Sequence, residues 1–274
     1  MENPIKKFIF RALYWYISAV DKKGEIIFLN WGYDDHKERI PLGKKDEPNR
    51  YPIQLYHRLV RDVELSGKHI VEIGCGRGGG LSYIARTFSP ASALGVDLEK
   101  RATDFGNAHY RIDGMRFLQG DAQDLPLQDE SCDVVINVES SHRYPEMPKF
   151  LDHVYRILKP GGYFLITDFR RTEDMPALWN LFNASDFTLI AQKRINDQVV
   201  QSLTNDSRRR LDLVNRYMPA ILKKPVYNFA GIKDSKIYKS IHSGELEYFM
   251  LAFKKNGIAT TSAPQFSGYS STLS

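Results

Sequence analysis

Short apolar runs alternate with amphipathic segments through the middle of the chain, from residue 69 to residue 168. The apolar runs predict five strands, at residues 69–74, 93–97, 116–119, 132–138 and 163–168. Helical spacing predicts helices at residues 79–87, 100–111 and 148–158, and the turn Lys159-Pro160-Gly161-Gly162 ends the last of them. Apolar strands separated by helices are typical of a parallel sheet covered on both faces. We therefore predict an α/β fold whose ligand lies at the carboxyl ends of the strands.

After residue 168 the alternation becomes slower. Residues 175–183 have helical spacing, and residues 187–195 and 247–253 have the pattern of two further strands. Residues 196 to about 243, between those strands, are polar and helical in pattern. The sequence therefore predicts a seven-stranded, mostly parallel sheet with a helical insertion that forms a lid over the ligand site.

Both ends of the chain depart from the core pattern. Residues 4–17 are amphipathic, but Arg11 interrupts the apolar part and no small-residue cleavage site follows, so we predict a retained helix rather than a signal sequence. This helix packs on the domain, lies at a lipid surface or caps a hydrophobic substrate. Residues 51–63 predict another helix. The stretch 256–274 is rich in Ser, Thr and Gly and is predicted to be a disordered tail.

The composition narrows the class of protein without selecting a partner. Of the 274 residues, 42% are hydrophobic and 26% are charged, as in soluble globular proteins. The net charge of +5 is compatible with an anionic substrate, a membrane surface or nucleic acid. Cys75 and Cys132 have neither metal-ligand nor disulfide-framework spacing, and we expect no metal site. The absence of a disulfide framework favours a reducing cytoplasm, so we expect a cytoplasmic protein, with peripheral membrane contact left open. No apolar run has the length of a membrane span.

A glycine-rich turn follows the first predicted core strand, in the stretch Val71-Glu72-Ile73-Gly74-Cys75-Gly76-Arg77-Gly78. Strand, glycine turn and helix bring backbone close to a nucleotide-like ligand, because glycine has no Cβ to block the approach. The pattern is not Gly-x-Gly-x-x-Gly, since the third glycine comes one residue early. It also lacks the Lys-Ser/Thr of a phosphate-binding P-loop. Alone, such a turn is also compatible with a simple tight connection.

Three further features follow later strands of the sheet. Asp97 lies about twenty residues after the turn, where a carboxylate can accept hydrogen bonds from a ribose diol. Asp121 can accept from the exocyclic amine of an adenine, and Leu98 and Ala122 can supply apolar walls. The segment from Asn137 to His142 places a carboxylate and an imidazole beyond the fourth strand, where the reacting end of the ligand is expected.

Together these residues resemble the class I methyltransferases that use S-adenosylmethionine. The resemblance lies in Glu72-Ile73-Gly74-Cys75-Gly76, Asp97, Asp121-Ala122 and the turn Leu158-Lys159-Pro160-Gly161-Gly162. The stretches 28–33, 46–50, 137–145 and 244–248 are similar to one subgroup, which contains mycobacterial phthiotriolone-type lipid and fatty-acid O-methyltransferases and is similar to macrolide and sugar O-methyltransferases. The resemblance implies methyl transfer to a hydroxyl or carboxyl oxygen of a hydrophobic small molecule such as a lipid, a fatty acid or a polyketide-like product.

The resemblance also implies a Rossmann-like fold and a set of site residues. Residues 1–62 would form an N-terminal helical cap that also covers the cofactor, and residues 63–255 would form the core with its insertion. Tyr33 would hydrogen-bond the methionine carboxylate of S-adenosylmethionine. The implied cofactor-binding set is Tyr33, Glu72, Gly74, Cys75, Gly76, Asp97, Leu98, Asp121, Ala122, Asn137 and Val138.

The predicted catalytic residues are His142, Glu139 and Asp168. Methyl transfer to an alcohol needs a base, and a histidine with an ordinary pKa near 6.5 is mostly neutral at pH 7. His142 is the predicted base, Glu139 would orient it or contact the ligand, and Asp168 would assist from the fifth strand. A carboxylic acid acceptor is already ionised, so His142 would then bind it rather than deprotonate it.

Two other functions stay open at this point. One is C-methylation of a quinone- or sterol-like ring, and the other is a methyltransferase-fold protein that binds without catalysis. Nucleic-acid modification is disfavoured, because no Asn-Pro-Pro-Tyr type sequence follows the fourth strand and the basic residues are scattered. The sequence makes no prediction of the oligomeric state.

Overall fold

The computed structural model describes residues 16–17, 19–21 and 24–256. The strands are β1 (His69–Ile73), β2 (Ser92–Asp97), β3 (Met115–Gln119), β4 (Cys132–Val138), β5 (Leu158–Arg171), β6 (Phe187–Arg194) and β7 (Leu246–Lys255). The helices of more than one turn are α1 (Arg50–Val60), α2 (Gly79–Phe88), α3 (Lys100–His109), α4 (Met147–Ile157), α5 (Met175–Ala184), α6 (Asn196–Tyr217), α7 (Ala220–Phe229) and α8 (Lys236–Ser243). Most of the predicted N-terminal helix, and the predicted tail beyond residue 256, lie outside the described residues.

The strands form one sheet in the order β3-β2-β1-β4-β5-β7-β6. All pairs from β3 through β5 are parallel, whereas β7 pairs antiparallel with both β5 and β6. Each parallel connection except that between β3 and β4 contains a helix. The predicted seven-stranded, mostly parallel α/β sheet is thus confirmed, and its strand order reverses between β1 and β4, beside the glycine turn.

Apolar side chains of the sheet pack into two cores, one on each face. The first contains Leu59 of α1, Leu81 of α2 and Leu203 of α6. The second contains Phe150 of α4 and Phe182 of α5. Strands β1, β2, β4 and β7 are buried along most of their length, which explains why their sequences are mainly apolar, whereas the edge strand β3 is largely exposed.

The predicted turn at residues 159–162 is a bulge within β5 rather than a separate connection. Cys132 pairs with Leu158 and Val134 pairs with Tyr163, so four residues of β5 lie opposite Asp133 alone. Gly161 has φ of +79°, and Lys159 Nζ lies 3.1 Å from both carboxylate oxygens of Asp133. Pro160 and the two glycines after it, which follow the end of α4, therefore also bend the strand.

Two further segments cover the carboxyl ends of the strands. Helices α6, α7 and α8 form the helical insertion predicted between the last two strands. Residues 24–33, here called the strap, cross from the glycine turn towards this insertion. A Cβ at Gly79 would lie 2.6 Å from the carbonyl oxygen of Ile27, so the strap contacts the beginning of α2 directly. Within the described residues, no helix is both long and apolar enough to cross a membrane.

Candidate active site

The glycine turn combines a packing constraint with an open surface. Gly74 and Gly76 have φ of +74° and +52°, the left-handed region that glycine adopts easily. A Cβ at Gly74 would lie 1.9 Å from Ser140 Oγ, whereas a Cβ at Gly76 would meet nothing within 4 Å. Gly74 is therefore required for contact with the segment after β4. Gly76 leaves an unfilled space beside the backbone.

Asp97, at the end of β2, is hydrogen-bonded to that turn. Its Oδ2 accepts from the backbone N–H of Gly76 at 2.7 Å, and its Oδ1 accepts from the N–H of Glu99 at 2.9 Å. Burial raises the pKa of Asp97, and these two hydrogen bonds oppose the increase. The next side chain, Leu98, is 55% exposed although it is aliphatic. A carboxylate and an exposed apolar side chain thus lie side by side at the end of β2.

Glu72 and Cys75 are buried beneath the turn. The hydroxyl of Tyr56 donates to Glu72 Oε1 at 2.6 Å, and burial raises the pKa of Glu72 to about 8. Burial also raises the pKa of the Cys75 thiol well above its ordinary value. The Cys75 side chain packs close to Gly95, where a Cβ would lie 2.8 Å from its sulfur. These two residues support the turn from below, and Cys75 lacks the properties of a nucleophile.

The remaining predicted cofactor residues follow β3 and β4. Asp121 is exposed and accepts from the N–H of Gln123 at 2.9 Å, while Ala122 and Val138 are buried. Asn137 donates to the carbonyl oxygen of Ile73 at 2.8 Å. Among the described residues, the buried Oδ1 of Asn137 has no hydrogen-bond partner. A buried acceptor without a partner is costly, so this oxygen is suited to a ligand donor.

These features fit S-adenosylmethionine. Asp97 can hold a ribose diol, Leu98 and Ala122 can flank an adenine, and Asn137 Oδ1 can accept a hydrogen bond from a ligand donor. The groove of about 650 Å³ that opens at the amino ends of β1, β2 and β3 lies at the other edge of the sheet and takes no part in this arrangement. Among the described residues, no group of three or more His, Cys, Asp or Glu side chains could hold a metal ion.

His142, which lies beyond the end of β4, forms a hydrogen-bonded pair with Asp168, which lies within β5. His142 Nδ1 lies 2.8 Å from Asp168 Oδ1, and Asp168 Oδ2 accepts from the backbone N–H of His142 at 2.9 Å. Ser141 donates to the same Oδ2 at 2.6 Å, and Arg170 Nη1 lies 3.3 Å from it. The Asp168 carboxylate thus fixes both the backbone and the ring of His142.

The charges around this pair determine its protonation. Burial alone would raise the pKa of Asp168, but His142, Arg170 and the hydrogen bonds outweigh burial and hold that pKa below its ordinary value. Burial lowers the pKa of His142, and the attraction of Asp168 does not reverse this. A neutral imidazole that donates from Nδ1 to Asp168 has an unprotonated Nε2. In the structure this Nε2 accepts from Nε of Arg143 at 3.1 Å.

Glu139 has a different set of partners from the predicted ones. Its Oε1 accepts from the backbone N–H of Trp31 at 2.6 Å and from the hydroxyl of Tyr248, and its own φ is +45°. Burial raises its pKa to about 8. Asp168, rather than Glu139, is therefore the carboxylate hydrogen-bonded to His142, and Glu139 joins the strap to β7. The Trp31 ring stacks at 4.4 Å on Phe169, whose ring lies 4.4 Å from that of His142.

Tyr33 is buried in a polar cluster apart from the other predicted cofactor residues. Its hydroxyl donates to Asp35 at 3.3 Å and accepts from Lys193 Nζ at 3.3 Å, and Gln54 donates to its carbonyl oxygen. Neither Asp35 nor Lys193 belongs to the predicted site. The structure thus brings together the predicted residues at the ends of β1, β2 and β4, but gives Tyr33 contacts that need no cofactor.

Several residues that sequence reasoning did not select also build the site. Arg77 donates from both terminal nitrogens to Asp21, at 2.7 Å each, and its guanidinium lies 3.8 Å from the ring centroid of Phe105. Tyr144 bridges Asn137 and Ser140 through its hydroxyl. Arg77 lies inside the glycine turn and Tyr144 shortly after His142, so the sequence places both residues near the predicted site. The sequence does not show which side chains they contact.

Residues 71–166 match the family model described as a methyltransferase domain. The chain is 41% identical over 246 residues to the phthiotriol/phenolphthiotriol dimycocerosates methyltransferase of Mycobacterium tuberculosis (strain H37Rv), covering 89% of this chain and 91% of that one. It is 39% identical over 246 residues to the fatty-acid O-methyltransferase of Mycolicibacterium smegmatis, covering 89% of each.

Two solved structures show the same fold at low identity. The [4+2]-cyclase SpnF matches with a TM-score of 0.68 and 18% identity, over 90% of this chain and 95% of that one. The geranyl diphosphate C-methyltransferase of Streptomyces coelicolor A3(2), in complex with S-adenosyl-L-homocysteine, matches with a TM-score of 0.63 and 16% identity, over 89% and 97%. With its identity to curated methyltransferases and its fitting cofactor cradle, the chain belongs to the Rossmann-like methyltransferases that use S-adenosylmethionine.

Proposed function

We propose that this enzyme transfers the methyl group of S-adenosylmethionine to a hydroxyl or carboxyl oxygen of a hydrophobic, lipid-like molecule. The observation that carries the proposal is the His142–Asp168 pair, which leaves Nε2 of a neutral imidazole facing away from its carboxylate. The names of the relatives support an acceptor that is a lipid or a fatty acid. Phe169 lies beside His142 and stacks on Trp31, and Phe229 lies under the guanidinium of Arg143, so aromatic side chains are available to contact such an acceptor.

For a hydroxyl acceptor, the chain's own residues supply a base and its orientation. When bound, S-adenosylmethionine supplies an electrophilic methyl group, whose bond to sulfur breaks as its bond to the acceptor oxygen forms. His142 Nε2 takes the hydroxyl proton, and Asp168 stabilises the resulting imidazolium. Because Arg143 Nε donates to this Nε2 in the structure, the guanidinium must give up that hydrogen bond to the acceptor hydroxyl.

A carboxylate acceptor is the second candidate, and the two arginines beside the pair favour it. Arg143 and Arg170 both lower the pKa of His142 through their charge, which disfavours proton uptake and favours an anion. An ionised carboxylate needs no base, so His142 and Arg143 would hold its oxygen in line with the methyl group. In that case replacing His142 raises KM more than it lowers kcat.

Methyl-labelled S-adenosylmethionine, with a panel of fatty acids, hydroxy-lipids and macrolides, tests the proposal by mass spectrometry of the products. A labelled ester or ether supports oxygen transfer. Label on a ring carbon of a quinone- or sterol-like molecule would replace the proposal with C-methylation. Tight cofactor binding without a labelled product from any acceptor class would favour the non-catalytic alternative.

A further inference from the structure

The helical insertion has an unusually exposed aliphatic residue. Ile221 is 85% exposed and Leu222 beside it is 36% exposed, both in the first turn of α7. The other exposed large hydrophobic residues of the described chain are less exposed, and Leu98 among them belongs to the cofactor cradle. Ile221 and Leu222 are adjacent, so their exposed side chains form a small apolar patch rather than a single scattered residue, and a patch rimmed by polar residues marks a candidate interaction site.

The orientation of α7 separates an inner from an outer face. Val226 is buried in a small core with Ile17, Val214 and Met218, which fixes the inner face of the helix. Lys224 follows Ile221 by three residues and shares its outward face, and it is exposed as well. The outer face of α7 is therefore aliphatic at its beginning and basic one turn later.

Charge around this helix is strongly biased. Residues 219–243 contain five lysines, Lys223, Lys224, Lys233, Lys236 and Lys239, and a single acidic residue, Asp234. All of these lysines except the half-buried Lys223 are exposed. The described end of the N-terminal segment packs at the same place, because Tyr16 donates to the carbonyl oxygen of Tyr217 at 3.2 Å.

We infer that the outer face of α7 docks the enzyme on an anionic lipid bilayer, with Ile221 inserted at the acyl boundary and the lysines against the head groups. A helix face with an aliphatic residue flanked by lysines matches the two layers of a bilayer surface. A nucleic acid or an acidic protein would use the lysines but not an isoleucine that is 85% exposed. Ile221 and Lys224 are not among the residues assigned to the active site, so the inference does not depend on which acceptor is methylated.

Sedimentation of the full chain with phosphatidylcholine vesicles, with and without phosphatidylglycerol, tests the inference. We expect binding to the anionic vesicles only, at low salt more than at high salt. The double variant Lys223→Glu/Lys224→Glu should lower the partition coefficient about tenfold or more. Ile221→Ser should lower it about three- to tenfold.

Matched controls exist elsewhere on the surface. Lys44→Glu/Lys45→Glu makes the same charge change at an exposed lysine pair, and Leu118→Ser removes another exposed aliphatic side chain. Both controls should bind vesicles as the wild type does, and thermal melting confirms that every variant folds. Equal binding by wild type and the α7 variants would overturn the inference. Loss in the lysine variant but not in Ile221→Ser would also overturn it, since that result describes a polyanion surface rather than a bilayer.

Discussion

The cofactor half and the acceptor half of the site are built in different ways. The cofactor half consists of the glycine turn and the ends of β1 and β2, where backbone groups hold Asp97 in place. The acceptor half joins segments that are far apart in the chain: Glu139 contacts Trp31 across 108 positions and Tyr248 across 109. Each half contains one buried glutamate whose pKa burial raises to about 8, Glu72 and Glu139.

This difference means that the two halves can be damaged separately. The hydrogen bonds of the cofactor half are local and depend on backbone conformation, so substitutions far from it should leave them intact. The acceptor half depends on the strap and the helical insertion, since Arg210 donates to the carbonyl oxygen of Asn30 and Trp31 Nε1 donates to that of Phe229. Cofactor affinity and turnover should therefore respond to different substitutions.

His142→Ala should have the largest effect, and in the acceptor half alone. Removing a general base lowers kcat by about 10²–10⁴ for a hydroxyl acceptor. Affinity for S-adenosylmethionine, measured by calorimetry, should stay at the wild-type value because His142 lies beyond the cradle. With wild-type enzyme, kcat should fall only when the pH drops below the ordinary histidine pKa of 6.5, since burial lowers the pKa of His142. Normal turnover in the variant would remove the base assignment.

Gly74→Ala should destabilise the fold where the two halves meet. The new Cβ would lie 1.9 Å from Ser140 Oγ and the residue has positive φ, so the cost should be about 3 kcal/mol. Gly76→Ala is the matched control, because it also has positive φ but an unobstructed Cβ position. Its cost should be about 1 kcal/mol, with weaker cofactor binding. Thermal melting compares the stability of the two variants, and an equal loss of stability in both would contradict the packing argument.

Asp97→Ala should weaken the cofactor half selectively. Without the Asp97 carboxylate, the ribose hydroxyls lose a charged hydrogen-bond acceptor, and the affinity for S-adenosylmethionine should fall about 10- to 100-fold. The variant also releases the N–H of Gly76, so the turn itself loosens. Asp113→Ala removes an exposed carboxylate elsewhere and serves as the calorimetric control. Unchanged affinity in Asp97→Ala would reject the ribose assignment.

The pH dependence of stability should appear in both halves. A glutamate with a folded pKa of about 8 and an ordinary value of 4.5 binds more protons when folded between those values. The stability that this glutamate contributes to the folded protein is fully present below about pH 4.5 and is lost as the pH rises through 8. We expect the free energy of unfolding to fall by about 2–3 kcal/mol per carboxyl between pH 6 and 8.5.

Glu72→Gln and Glu139→Gln divide that pH dependence between the halves. Each variant should remove part of the fall in melting temperature with rising pH. Glu72→Gln should also change cofactor affinity, whereas Glu139→Gln should change KM for the acceptor. A slope of stability against pH that neither variant alters would contradict the protonation of both carboxyls.

The sequence predicted the cofactor half better than the acceptor half for a physical reason. Strand, glycine turn and the acid at the end of the next strand are fixed by contacts within about 25 residues, so Gly74, Gly76 and Asp97 could be placed from the pattern. The partners of Glu139 and Tyr33 depend on how the strap crosses the sheet. No local pattern specifies that Trp31 N–H meets Glu139, or that the Tyr33 hydroxyl meets Lys193.

The fold followed the same rule. All seven predicted strands are present with boundaries that differ by a few residues, and the apolar runs are clearest in the central strands, which are covered on both faces. The β5 bulge was not predicted. A proline and glycines after a helix indicate that the helix ends, but they do not indicate whether a loop or a strand follows. Opposite Asp133 the strand continues through them.

The position of β7 has a consequence for synthesis of the protein. β7 lies between β5 and β6 and pairs with both, yet it is the last strand of the described chain to leave the ribosome. Until residues 246–255 emerge, β5 has an open edge and β6 has no neighbour in the sheet. Open strand edges invite pairing with other chains, so nascent chains stalled before residue 246 should be bound by chaperones or aggregate.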